Sequence, residues 1–387
     1  MWVRTLELTD IRSYAQVRVA FTPGVTLLLG RNAQGKTNLV EALHRIASGA
    51  SHRTANDTPL VRAEASDGIV RTEFETDEGR RRTVELQLST QGRGRIRVDG
   101  QDVRRAADAV GALRTVMFSP EDVAIVRGDP EQRRRFLDEV LAQRRPAYGA
   151  ARQDYDRVLR QRNQLLRRLR ALAPDAARRA RDTLESWTEQ AITLGTQITA
   201  ARLAAVRALD GPVDRLYREF ADRPEQIRVT YRPPIDLEVT AATVGPSTSE
   251  IAEAMRRTFD QRLDEELRRA TTLVGPHRDD VDLHIGSLAA RAYSSQGEAW
   301  SLAMSLRLAS HELLAEVGDR PVVILDDVFA ELDDTRRQRL ADACTRFDQV
   351  FVTAATGAEV PLQGTVLRVV LRDGRSEIGR DDVEVAS

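Results

Sequence analysis

Two groups of residues in this chain have the types and spacing to handle a phosphate chain. Gly30-Arg31-Asn32-Ala33-Gln34-Gly35-Lys36-Thr37 fits G-x-x-x-x-G-K-[ST], and it lies between an apolar run at 25–29 and an amphipathic segment opening at Lys36. Glycines let the backbone curl so that its N–H groups converge on phosphate oxygens, and a helix start adds partial positive charge. Lys36 is the only lysine in a chain that otherwise uses arginine. A compact ammonium fits inside a curled loop, where the planar guanidinium fork would not. Lys36 is therefore expected to bridge the β- and γ-phosphates, with the Thr37 hydroxyl on Mg²⁺. Near the other end, "PVVILDDVFAELDD" sets Asp326 and Asp327 at the carboxyl end of an apolar strand, the edge that faces the phosphates in a nucleotide-binding sheet. Asp326 would hold Mg²⁺ through water, and Asp327 would orient or deprotonate the attacking water. A turn capping the next helix is the competing use of such a pair.

A third group is "YSSQGEAWSLAMSLRLASHELL", small polar residues followed by a stripe of Ala299, Ala303, Leu306, Ser310, Leu313 and Val317. Ser294 or Ser295 would cap a helix whose free N–H groups form a second anion site; an ordinary capped core helix is the alternative.

These groups need elements to hold them. Alternation and apolar runs predict strands at 3–8, 17–21 and 25–29, then a helix at 36–47. "IVRTEFET", "RTVELQL" and "GRIRVDG" suggest an antiparallel patch, and "LRTVMFS" a strand ending before Pro120. Long helical sequence follows. Leu184, Trp187, Ala191, Leu194, Ile198, Ala201, Ala205 and Ala208 recur three and four apart, a coiled-coil-like seam. Tyr155, Leu159, Leu166, Leu169 and Leu172 offer the partner stripe, joined through "ALAPDAA". Two antiparallel helices of at most about 50 Å are implied, at ~1.5 Å per residue. Beyond a loop at 240–249 and then 271, strand and helix alternate again: a helix at 295–317, the strand "PVVILDD", a helix at 333–344, the strand "QVFVTA" and a terminal hairpin. The expected fold is α/β with a mixed sheet, one discontinuous domain at about 1–120 and 271–387 interrupted by a mostly helical lobe at 121–270.

The chain has 387 residues, with 58 Lys+Arg against 59 Asp+Glu, so it is no globally basic nucleic-acid coat. Cys344 is the sole cysteine, which excludes an intramolecular disulfide and a cysteine metal cluster and suits a reducing cytosol. The first residues alternate like a strand rather than a secretory signal, and no apolar run approaches the ~20 residues of a membrane helix. Arginine clusters locally, at Arg133 to Arg135, Arg144, Arg145, Arg157, Arg160, Arg162, Arg167, Arg168, Arg170, Arg178, Arg179 and Arg181. Arg160 and Arg167 fall on one face away from the leucine stripe and could track the phosphates of duplex DNA. Sparse aromatics argue against stacking on single-stranded bases. A solvated arginine-rich face is the alternative reading, of equal weight on sequence alone.

The order of these parts resembles the ABC-type ATPase heads of the SMC-like class. "GRNAQGKTNLVEAL", "FSPEDVAIVRGDPEQRRRFLD", "GPHRDD", "YSSQGE" and "LDDVFAELD" together resemble the RecF family of bacterial recombination-mediator ATPases, over nearly the whole chain. The resemblance implies ATP sandwiched between two head-to-tail copies. Lys36 and its loop would be the Walker A motif. Ser295, Gln296, Gly297 and Glu298 would be the signature motif, contacting ATP bound by the opposite copy. Glu331, Leu332 and Asp333 would form the D-loop at the same interface, and Arg12 and residues 51–53 would approach the nucleotide. It also implies binding at a gap or single-strand/double-strand junction, with RecR and RecO as partners. Three departures stand out: Thr353 where transport ATPases carry histidine, Asp327 in place of glutamate, and "FSPED" where a glutamine is expected, leaving Ser119 or Glu121 at that position. The shorter carboxylate implies slow, switch-like hydrolysis. A transporter's nucleotide-binding subunit and a non-hydrolysing, ATP-stabilised scaffold are the rival readings.

Overall fold

The apolar run ahead of the glycine loop forms β3 (Gly24–Leu29), an interior strand of a six-stranded sheet. The computed structural model describes all residues but 50–57, 93, 104, 170–173, 222–224, 238–244, 358–359 and 381–387. Around β3 lie β8 (Thr115–Phe118), β12 (Val322–Asp326), β13 (Gln349–Ala354), β14 (Thr365–Arg372) and β15 (Arg375–Arg380), in the order β15-β14-β3-β13-β12-β8. Pairing is parallel except within the β14–β15 hairpin. The expected terminal hairpin is thus also the sheet's flank. β12 and β13 are buried along their whole length, which is why they read as nearly unbroken apolar runs. Alternate side chains go opposite ways: Val322 and Ile324 enter one core, Val323 and Leu325 the other.

The first core is shared with an antiparallel sheet of β1 (Trp2–Ile11), β2 (Tyr14–Ala20), β4 (Asp67–Glu75), β5 (Arg81–Ser89), β6 (Arg95–Val98) and β7 (Gln101–Asp102), ordered β2-β1-β4-β5-β6-β7. Helix α1 (Lys36–Ser48) fills the space between the sheets. Its Leu39, Val40, Leu43 and Ile46 share a core with Leu6, Leu8, Val70 and Phe74 on one side and Leu28, Ile324 and Phe351 on the other.

The second core joins the opposite face of the parallel sheet to the inserted helices. Short α2 (Ala106–Ala109) and α3 (Val123–Arg127) precede α4 (Pro130–Arg144), α5 (Pro146–Leu169) and α6 (Pro174–Phe220); α7 (Thr248–Arg269) packs on both α5 and α6. α8 (Ala290–Tyr293), α9 (Gln296–Ala315) and α10 (Asp334–Cys344) complete the helices. A small sheet, β11-β10-β9, is made of β9 (Ile227–Arg232), β10 (Asp280–Ile285) and β11 (Leu288–Ala289). Pairing of β9 with β10 runs across position 270, so hydrogen bonds tie the inserted lobe to the segment after the expected boundary.

The arm departs from expectation in length. α6 has 47 residues, which at ~1.5 Å each is about 70 Å. "Asp-Gly-Pro" at 210–212 reads as a breaker, yet the helix runs through Pro212 because Leu209, Val213, Leu216, Tyr217 and Phe220 are buried in the lobe core. Asp210 and Asp214 also accept the N–H groups of Val229 and Ile227, both at 2.7 Å, fastening the helix to β9. The seam holds through Leu184, Ala191 and Ile198 and then drifts: Ala208 is exposed while Arg202, Leu203 and Val206 are buried. A straight helix drifts against a 3.5-residue repeat, and here α6 leaves its hairpin partner and enters the head. Leu172 of the partner stripe lies outside the described residues.

Candidate active site

The glycine loop closes on its own lysine. Lys36 is 3 % exposed, and its Nζ donates to the carbonyls of Gly30 (2.6 Å) and Arg31 (3.3 Å). Gly35 sits at φ 105° as the N-cap of α1, and a Cβ there would meet Ser376 Oγ at 2.4 Å. Only glycine satisfies both conditions. Arg31, Asn32 and Ala33 are exposed at the loop tip, Gln34 half-buried. No acidic residue stands in the first turn of α1, so its positive end is left for an anion.

Distant residues that sequence patterns did not single out brace the loop from below. Ser376 Oγ donates to the Gln34 carbonyl and lies 2.6 Å from Ser13 Oγ, while Asn38 Nδ2 donates to Ser13 Oγ and Tyr14 OH to the Gly35 carbonyl. Arg12, at φ 51°, spends its guanidinium on Glu41 of α1, at 3.1 Å to both carboxylate oxygens. Residues 51–53 lie outside the described residues.

The Asp pair meets this loop across the sheet. Thr37 Oγ1 donates to Asp326 Oδ1 at 3.0 Å, joining residues 289 positions apart. Asp326 is the last residue of β12 and Asp327 the first beyond it, at φ 52°. Thr353 of β13 donates to Asp326 Oδ1 at 2.7 Å. Loop, hydroxyl and both carboxylates therefore form one cluster at the carboxyl ends of β3, β12 and β13, where an open parallel sheet binds its ligand.

Ser295 caps α9: its Oγ accepts the Glu298 N–H, and its own N–H donates to Glu298 Oε2 at 2.8 Å. Of the two serines left open by the sequence, Ser295 is the cap. Ser295 and Gln296 are exposed, and Gly297 is partly so. Arg127 of α3 holds this turn through the Gln296 side-chain oxygen (2.9 Å) and the Ser294 carbonyl. Arg336 lies against Gly297 and also grips Asp333, the N-cap of α10, at 2.8 Å. One arginine thereby ties Ser295-Gln296-Gly297-Glu298 to the Glu331-Leu332-Asp333 turn. Glu331 and Asp333 face solvent; Leu332 turns into the core. The serine turn and the glycine loop are held by different partners within one chain.

At "FSPED" Ser119 is buried and its N–H donates to Asp122, whereas Glu121 is exposed. Asp122 in turn accepts Arg307 of α9 (2.6 Å), which also reaches Glu139 of α4 (2.9 Å); Glu139 lies 3.5 Å from His44 of α1. Burial, reinforced by Arg307, pushes His44 down to about 3, so it stands neutral in this chain of charges. The pattern of apolar residues gave no sign of this buried polar link between α1 and α9.

The arginines of the inserted lobe divide into two classes. Arg133, Arg162 and Arg202 are buried and pair within the chain, with Asp280, Glu266 and Asp279, and Arg144 pairs with Glu316 nearer the surface. Arg160 and Arg167 are exposed on α5, with no acidic partner among the described residues. Among those residues no helix is long and apolar enough to cross a membrane.

The family described as "RecF/RecN/SMC N terminal domain" matches residues 2–377. The chain is 41 % identical to the DNA replication and repair protein RecF of Cutibacterium acnes, covering 99 % of this chain and 98 % of that protein. It is 44 % identical to RecF of Kineococcus radiotolerans, over 93 % and 94 %. Among solved structures it resembles the recombination mediator protein RecF with ATP, of the RecFOR pathway, with a TM-score of 0.87 and 27 % identity over 97 % of each chain. The Smc head domain of Pyrococcus furiosus shares the fold alone, at 16 % identity and a TM-score of 0.54. With its glycine loop, serine turn and Asp pair on an ABC-type ATPase head, this chain belongs to the RecF family.

Proposed function

We propose that the chain is an ATP-dependent DNA-binding protein of replication and recombinational repair in the cytoplasm, in which ATP closes a head-to-tail homodimer and slow hydrolysis reopens it. The observation that carries the reading is the single cluster of Lys36, Thr37, Asp326 and Asp327 built from opposite ends of the chain. Its hard oxygen donors, the Thr37 hydroxyl and the Asp326 carboxylate, suit Mg²⁺, which would neutralise charge building on the phosphates. Lys36 would grip the β- and γ-phosphates, and Asp327 would orient the attacking water. The exposed Ser295 turn would complete the site of a second copy, as the RecF resemblance implies. ATP and the RecFOR partners, RecR and RecO, are supported by the solved RecF relative; DNA contact by a gap or junction is supported by family membership and by Arg160 and Arg167. In this reading 1–120 and 271–387 form the ATPase lobe and 121–270 the inserted one, though β9–β10 pairing binds the two closely.

The test is Mg²⁺-dependent ATP turnover, with and without gapped DNA, in wild type and Asp327→Asn. Turnover should be slow, rise with DNA and vanish in the variant while ATP binding persists. Equal absence of turnover in both, with dimerisation still answering to ATP, would leave a scaffold in place of an enzyme.

A further inference from the structure

Thr353 is a buried residue of the central strand β13 that stands beside Asp326 in the β12–β13 register. Its hydroxyl touches both members of the Asp pair. Oγ1 donates to Asp326 Oδ1 at 2.7 Å, accepts the N–H of Asp327 at 2.9 Å, and lies 3.4 Å from Asp327 Oδ1. A hydroxyl has one proton to give, and the shorter contact takes it. Asp327 meanwhile sits at φ 52°, a left-handed conformation that an aspartate adopts as a single residue where local hydrogen bonds favour it. The Asp327 N–H bond to Thr353 is one such bond.

We infer that Thr353 is a positioning residue: its hydroxyl pins the Asp326–Asp327 step in the left-handed region, keeping Asp326 beside Thr37 and fixing where the Asp327 carboxylate stands. With its proton already given to Asp326, Thr353 does not serve as a donor to nucleotide; it acts through the carboxylates. This rests on the hydrolytic reading above for its effect on turnover, though not for its effect on geometry. Valine at this position keeps the β-branched shape and removes the hydroxyl, so packing is retained while both hydrogen bonds are lost.

Three measurements on Thr353→Val and Thr353→Ser decide it. kcat for ATP should fall about 100-fold in the valine variant, a larger change than in ATP affinity, as expected for a misplaced reacting group, and most of it should return with serine. A crystal structure of Thr353→Val should show Asp327 at negative φ with its carboxylate displaced. Wild-type turnover in the valine variant, or an Asp327 that stays left-handed with its carboxylate in place, overturns the proposal. So does a common loss of binding and turnover that serine fails to restore, which would make Thr353 a packing residue. Should wild type itself lack Mg²⁺-dependent turnover, the hydrolytic reading fails, and the φ of Asp327 in the variant still decides the clamp.

Discussion

Lys36 shows how far single residues could be read in advance. Its isolation among arginines and its place in the glycine motif pointed to an enclosed cation, and the residue is 3 % exposed with its ammonium on two loop carbonyls. A guanidinium needs more width than that loop offers. Lys36→Arg should weaken ATP binding at least about tenfold, roughly 1.4 kcal/mol, by titration calorimetry; unchanged affinity would contradict the steric account. The supports under the loop were illegible for a physical reason. Ser376 reaches a carbonyl 342 positions away, and no local pattern records a contact of that separation. Ser13 and Tyr14 are of the same kind: common residue types whose role comes from where the sheet places them. The Asp pair was legible because strand end and residue type coincide; its left-handed second residue was not.

At the scale of elements, the arm separates what periodicity reveals from what it hides. The stripe Tyr155, Leu159, Leu166, Leu169 has a gap where the next step falls, and Arg162 fills it, buried against Glu266 at 2.6 Å and over the Phe259 ring at 4.7 Å. Sequence reading listed Arg162 among the arginines of the insertion without placing it, although the spacing of the stripe already put it inside. Removing one partner of a buried pair leaves a charge uncompensated. Arg162→Ala should therefore cost about 3–5 kcal/mol in urea denaturation. Arg160→Glu with Arg167→Glu should leave stability within about 1 kcal/mol, since both are exposed, while lowering duplex affinity and flattening its salt dependence. Unaltered affinity across a salt titration would remove this face from DNA contact. The overlong α6 carries the same lesson, since Pro212 reads as a stop until the lobe core around it is known.

Across the whole molecule, the parallel sheet was legible because its strands announce themselves as apolar runs at both ends of the chain; the third helix of the arm and the β9–β10 pairing across the expected lobe boundary were not, since pairing between remote segments leaves no periodic trace. His44 and His311 are buried and His277 half-buried at distant points of the fold, and desolvation lowers His44 to about 3 and His277 and His311 to about 4. The unfolded chain takes up protons near pH 6.5 and the folded chain does not, so stability is full above that pH and falls as pH drops from 6.5 toward 4. Each group contributes up to about 1.4 kcal/mol per pH unit in that window, and denaturation midpoints at pH 7.5 and 5 should differ accordingly; equal midpoints would contradict it. The central claim is that each chain carries both a glycine loop and a serine turn and that two copies complete each other's site. Sedimentation velocity with and without ATP and Mg²⁺, on wild type and Ser295→Arg, tests this most directly. Loss of the cap costs about 1 kcal/mol, too little to unfold the variant. Wild type should shift from monomer to dimer with ATP while Ser295→Arg binds ATP and stays monomeric; a wild type that remains monomeric at saturating ATP, or a variant that dimerises as wild type does, would contradict the account.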